Sequence, residues 1–321
     1  MAVLLSSVAT SFLLLQNVQA QAPVFITTNR DLVLSFRKTG ANNVLEIDLG
    51  QAKTYYTATP GTTKPVSQLS STLLNSAFSG DLTSLSWSVA GSVLHVGDGG
   101  DASVPNSTLW VTAPRTDPAT PATAWVRRSA SAQGATATEI NSILVDGSQY
   151  SGSTYGVTNS TATTTLVPAG NGFDAGSFLG ASGNYLNTFQ GDVENTTPSD
   201  FDTAGLPSRS DLYQLYPDST STQPPAKYLG YFELEPAGTM VFVAGPPATT
   251  VSLSVAGNTS TVSFPTVGQG TYTLYYTNSA GLLSPIHTWA TNSSVVIGDG
   301  KVDSFQQTST DPNRFYSVGV H

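Results

Sequence analysis

Short runs in which apolar and polar residues alternate, each closed by Gly, Pro, Asn or Asp, recur along most of this 321-residue chain. A period of two sends successive side chains to opposite faces of an extended strand, so such runs pair into sheets that bury one face. Leu32-Val33-Leu34-Ser35-Phe36 is the first run. In the second, Val44-Leu45-Glu46-Ile47-Asp48-Leu49, polar Glu46 and Asp48 alternate with apolar neighbours, the pattern of a half-buried strand. Leu85, Trp87 and Val89 make the next apolar face, and a strand over Thr108 to Thr112 carries Trp110. Further along come Asp211 to Tyr216 and a hairpin over Tyr228 to Ala244 that turns between Glu235 and Thr239.

Two segments break the period. Val66, Leu69, Leu73, Leu74, Ala77 and Phe78 fall at helical spacing, with Pro65 suited to start a helix and Gly80 to stop it. Ala137, Ile140, Ile143 and Leu144 share a face between Ser131 and Val145, with Gly147 as the C-terminal stop. Residues 148–210 are rich in Gly, Ser, Thr and Asn, the composition of long loops between short strands. Gly245-Pro246-Pro247-Ala248 reads as a linker, since consecutive prolines cannot donate to a β ladder. About seven short strands follow it between Val251 and Val318, one of them over Ile286 to Ala290. The expectation is a mainly β protein in two parts. Residues 23–244 form a β-sandwich-like domain with two short helices, and residues 249–321 a small immunoglobulin- or fibronectin-like β-sandwich.

Charge narrows the function. Twelve Lys and Arg against 21 Asp and Glu give a formal charge of −9, which leaves no basic footprint for nucleic acid or anionic lipid. Only 10% of residues are charged, so the 83 Ser and Thr must wet most of the surface. The absence of cysteine removes disulfides, thiolate metal sites and a cysteine nucleophile. Residues 1–22 are uncharged and apolar, and end in Val18-Gln19-Ala20-Gln21-Ala22, the small-residue pattern of a signal peptide cleaved after Ala20 or Ala22. No later stretch approaches the about 20 apolar residues of a membrane-spanning helix. Export to the cell envelope or beyond is the expectation.

Asp31 to Arg37 with Ile47-Asp48-Leu49-Gly50, and Ser210 to Leu215 leading into Tyr228-Leu229-Gly230-Tyr231-Phe232-Glu233-Leu234, resemble a group of exported bacterial proteins. Members of that group often end in a PEP-CTERM sorting tail. The likeness spans roughly residues 29–244, while Tyr272 to Thr277 and Asp311-Pro312-Asn313-Arg314-Phe315-Tyr316 resemble a small C-terminal β module of secreted bacterial proteins. The resemblance implies export to the envelope or extracellular matrix and supplies no reaction or catalytic residues. This sequence departs from it in lacking the Pro-Glu-Pro motif, apolar helix and basic end of the sorting tail.

Signatures of chemistry are sparse. The three histidines, His95, His287 and His321, lie far apart, and no nucleophile elbow, P-loop, dinucleotide fingerprint or His-Glu-x-x-His run occurs. The expectation is therefore no catalytic residue and no cofactor. Calcium is the one metal considered, at Asp98 and Asp101 or at Asp192, Glu194, Asp200 and Asp202. A paired-carboxylate glycosidase leaves no spacing in sequence and stays open as an alternative. Tyr55-Tyr56 and Tyr275-Tyr276, read as strand residues, each offer one ring for stacking on a sugar. Five Asn-x-Ser/Thr sequons begin at Asn106, Asn159, Asn195, Asn258 and Asn292. The leading reading is a non-enzymatic structural or adhesive protein that self-associates through β edges or meets cell-surface polysaccharide. The competing one is a carbohydrate-binding module or glycan-acting enzyme.

Overall fold

The computed structural model describes residues 24–25, 27–94, 101, 103–116, 121–147, 161–162, 164–170, 192–220, 224–245, 251–268, 270–311 and 313–320. The signal-like segment, the prolines after Gly245, and His95, Asp98, Asn159 and His321 lie outside them.

The chain is mainly β, as the alternation requires. It opens with β1 (Val24–Phe25), β2 (Asp31–Lys38), β3 (Asn43–Gln51), α1 (Lys53–Tyr56), β4 (Thr63–Pro65) and α2 (Ser71–Phe78). Next come β5 (Leu85–Ser92), β6 (Leu109–Pro114), α3 (Ala130–Gly147), β7 (Thr161–Ala162), β8 (Thr164–Pro168) and β9 (Asn195–Thr196). α4 (Phe201–Ala204), β10 (Ser208–Leu215), β11 (Lys227–Leu234) and β12 (Met240–Ala244) complete the first part. Ten of these strands make one antiparallel sheet in the order β4-β12-β11-β10-β6-β5-β2-β3-β8, with β9 beside β5. The sheet is curled, so that residues near its two ends share one core: Tyr55, just after β3, packs edge-on against Phe242 of β12 at 5.1 Å and at a tilt against Phe232 of β11 at 5.6 Å. One curled sheet thus does the work of two facing layers.

Both faces of that sheet are covered. Leu32, Leu34 and Phe36 point into the curl with Trp87 and Val89, while Val33 points the other way and packs with Ile140, Ile143 and Leu144 of α3. Glu46 therefore does not face water as a half-buried strand would have it. It is wholly buried, and a Cβ on Gly147 of α3 would lie 2.7 Å from its Oε2.

Helices differ from expectation in number and extent. Four occur among the described residues, α1 and α4 being single turns that carry too few residues to show a period. α2 starts later than Val66 because the Ser70 hydroxyl accepts from Leu73 N at 3.1 Å and caps it there, although Val66 and Leu69 still reach the core. α3 is an 18-residue helix rather than a short one. Gly245 N still donates to Leu229 O at 2.8 Å, one residue past the end of β12.

A buried ion pair pins β6, β10 and β11. Arg115 Nε and Nη2 donate to Asp211 Oδ1 at 2.9 and 2.6 Å, Tyr228 donates to the same oxygen at 3.2 Å, and Ala122 N donates to Oδ2 at 2.5 Å.

The second part holds β13 (Ser252–Ala256), β14 (Thr259–Pro265), β15 (Thr271–Asn278), β16 (Ala290–Thr291), β17 (Val296–Ile297), β18 (Val302–Thr308) and β19 (Arg314–Val320). Strands β13-β14-β18 form one sheet, and β15 pairs with β16, β17 and β19 in the other. These neighbours are those of strands A-B-E and C-F in an immunoglobulin sandwich. The strand expected over Ile286 to Ala290 is instead a 3-10 turn, Ile286–Thr288, followed by β16, because Pro285 sets up the turn and its carbonyl accepts from Thr288 N. The two parts share a core. Ala124, Trp125 and Tyr228 cluster with Phe264, Tyr272 and Phe305, and Tyr228 N donates to Gly268 O at 3.0 Å.

One carboxyl in the sheet is tuned by position. Burial, and then the neighbouring Asp31 carboxylate, push Asp48 up to about 6. The folded state then holds a proton that the unfolded chain has released, so stability present below pH 4 is lost as pH rises through about 6. A tenfold change in proton affinity is about 1.4 kcal/mol, and partial exposure screens it, so a loss of about 1–2 kcal/mol is expected across that window. Asp48→Asn should flatten this slope in urea midpoints measured from pH 4 to 7; an unchanged slope would rule the assignment out.

Candidate functional site

A cleft of about 560 Å³ opens where the turn before β2 meets α1 and β6. Arg30 sits in that turn with φ 75°, left-handed backbone that costs a non-glycine residue about 1–2 kcal/mol. Its carbonyl accepts from Ala52 N at 2.9 Å, which ties the turn to the start of α1. Asp31 locks the turn from behind, its Oδ2 accepting from Thr28 N and Oγ1 and its Oδ1 from Gln51 Nε2 at 2.6 Å.

α1 decides which tyrosine reaches the cleft. Consecutive residues on a helix diverge by about 100°, so Tyr55 enters the core while Tyr56 lines the cleft. The Tyr56 ring lies parallel to Trp110 of β6, 6.0 Å between centroids with planes 3° apart. Its hydroxyl donates to Asp101 Oδ2 at 3.2 Å. Burial and Asp101 both raise the Tyr56 phenol, so it keeps its proton and remains a donor. Asp101 is held below the usual carboxylate range by the Ser103 hydroxyl and backbone N–H on its Oδ1, and Lys53 Nζ stands 3.9 Å from Oδ2.

The unusual group is Arg30. Its Nη1 donates to the backbone carbonyl of Asp101 at 2.9 Å. Its Nε and Nη2 are buried with no acceptor, as is Trp110 Nε1. Among the described residues no carboxylate forms an ion pair with Arg30, which is only 4% exposed. A buried polar donor left unmet costs about 1–3 kcal/mol, more when charged. A native fold carries such a deficit only for a reason.

The other candidates scatter. Of the proposed metal ligands, Asp101 lines this cleft, while Asp192 Oδ1 accepts from Glu194 N at 2.9 Å. Glu194 grips Arg37, and Asp200 and Asp202 are exposed at α4. No three of His, Asp and Glu converge to hold a metal among the described residues. Tyr55 and Tyr56 lie on a helical turn rather than a strand, because Ala52 O accepts from both Tyr55 N and Tyr56 N. Tyr275 and Tyr276 are both half-buried on β15, and the Arg314 guanidinium sits 4.9 Å over the Tyr276 ring. The side chain of His287 is outside the described set. Asn195, which begins one of the sequons, is buried and donates through Nδ2 to Arg209 O at 2.6 Å. Sequence reasoning missed Arg30, Gln51, Lys53 and Trp110 as cleft residues, since only the curl of the sheet brings a turn, a strand end and β6 together.

The chain matches no known protein family, and no curated protein is similar to it. Its function has to be argued from the cleft.

Proposed function

We propose that the chain is an exported, non-enzymatic adhesive protein of the cell surface or extracellular matrix that holds a saccharide in the Arg30–Tyr56 cleft. The observation that carries this reading is the Tyr56–Trp110 stack in a wall that also presents Gln51, Lys53, Thr54 and Thr57. A flat aromatic surface suits the apolar C–H face of a pyranose, and a ring of donors and acceptors suits its hydroxyls. The apolar, uncharged leader supports export, and the hydroxyl-rich surface suits a matrix setting.

The same lining supports a non-enzymatic reading: hydrolysis of a glycosidic bond takes two carboxyls across the bond, and among the described residues the lining contributes one, Asp101, already bound by Ser103 and Tyr56. The test is a glycan array probed with the full chain, with a hydrolysis assay on every hit. Binding without turnover is the expected result. Tyr56→Ala should weaken binding about tenfold, the effect of one lost stacking ring, with a lowered melting temperature because Tyr56 also packs on the buried Trp110, whereas Tyr56→Phe, which keeps the ring, should retain both binding and melting temperature. An empty array removes the reading, and turnover replaces it with an enzyme.

A further inference from the structure

We propose that the saccharide in this cleft is acidic and that Arg30 binds the carboxylate of a uronic acid unit, an assignment that rests on the saccharide reading above. The argument comes from the protein's own arginines. Arg37 Nε donates to Glu194 Oε1 at 2.7 Å and Oε2 at 2.9 Å, and its Nη2 also meets Oε2. Arg115 uses the same two nitrogens on Asp211, at 2.9 and 2.6 Å. In both cases the Nε–Nη2 edge takes a carboxylate, through both oxygens at Arg37 and through Oδ1 alone at Arg115.

In Arg30, which lines the cleft, that same edge is buried and has no acceptor on it. Its remaining nitrogen, Nη1, is spent on a backbone carbonyl, which leaves the guanidinium charge unneutralised by contact. The nearby acid cannot fill the role from where it stands. Asp101 Oδ1 is taken by Ser103, and Oδ2 by Tyr56 and Lys53. Lys53 at the exposed rim adds a second positive charge, so the cleft lining is net cationic in a chain of formal charge −9. Such a spot selects anions by contrast with everything around it. What the edge lacks is a planar anion with two oxygens side by side. Sugar hydroxyls do not supply that; a uronate carboxylate does, and Tyr56 in the same wall is available for its ring.

The experiment is calorimetric titration of the full chain with a short oligogalacturonate, with its fully methyl-esterified form and with a sulfated neutral oligosaccharide. The acid should bind roughly 10- to 100-fold more tightly than the ester, the range of a charge-assisted pair. That comparison needs no variant, so it stands even if substitution at Arg30 harms folding. Arg30→Gln should reduce the acid to the level of the ester. Arg30→Lys, which keeps charge and loses the fork, should abolish most of the preference; full preference in the lysine variant would overturn the role of the fork. Equal binding of acid and ester would overturn the inference while leaving the saccharide reading intact. Failure of all three probes, with no other glycan bound, would remove both. Binding of the sulfated probe alone would overturn the carboxylate assignment.

Discussion

Asp211→Ala is expected to lower stability by about 3–5 kcal/mol, the usual cost of stripping one partner from a buried ion pair. Arg115 and Asp211 side chains are 2% and 0% exposed, so a guanidinium that loses this carboxylate cannot turn to water in its place. Tyr228 and Ala122 N each lose an acceptor at the same time. A domain holds only about 5–15 kcal/mol in total, so the variant should unfold at far lower urea or express poorly. Charge, not shape, is the cause, and that is separable. Asp211→Asn keeps the shape and should still lose most of the stability. The double variant Arg115→Met with Asp211→Leu should recover part of it, since no buried charge is then left alone, while Ala122 N and the Tyr228 hydroxyl still lack their acceptor. A cost below about 1 kcal/mol for Asp211→Ala would show that the network is not structural.

Gly268→Ala is expected to disconnect the two parts. A methyl group there would stand 2.1 Å from Ala226 O and 2.9 Å from the Ala124 side chain, at the point where Tyr228 N bonds to Gly268 O. The clash is with backbone, so it cannot be relieved by rotating a side chain, and about 1–3 kcal/mol or more is at stake. Scanning calorimetry of the parent should show one transition. The variant should show two, with the β13–β19 part melting first because its small sheets lose their cover. A single unchanged transition would mean that Gly268 does not hold the parts together.

The strands were readable because alternation is a local property. Leu85, Trp87 and Val89 looked like one dry face, and all are fully buried. The hairpin of β11 and β12 turns where Gly238, at φ 78°, permits it. Alternation could not say what covers the opposite face. Glu46 looked exposed because nothing in its own strand announces that α3 lies over it. The cleft was legible only in part: Tyr56, read with Tyr55 as a strand pair, and Asp101, read as a calcium candidate, both line it. Arg30 gave no sign, since its importance lies in a missing acceptor, and that is a property of the folded neighbourhood alone.

The core that runs from Trp125 and Tyr228 into Phe264, Tyr272 and Phe305 also bears on mechanics. Had the two parts hung together by a proline-rich tether alone, tension between a bound glycan and the far end of the polypeptide would merely straighten it. Here the load meets a shared apolar core first, and extension must pull that core apart. The joint therefore behaves as a stiff coupling, passing a tug on the β19 end directly to the curled sheet that carries the cleft.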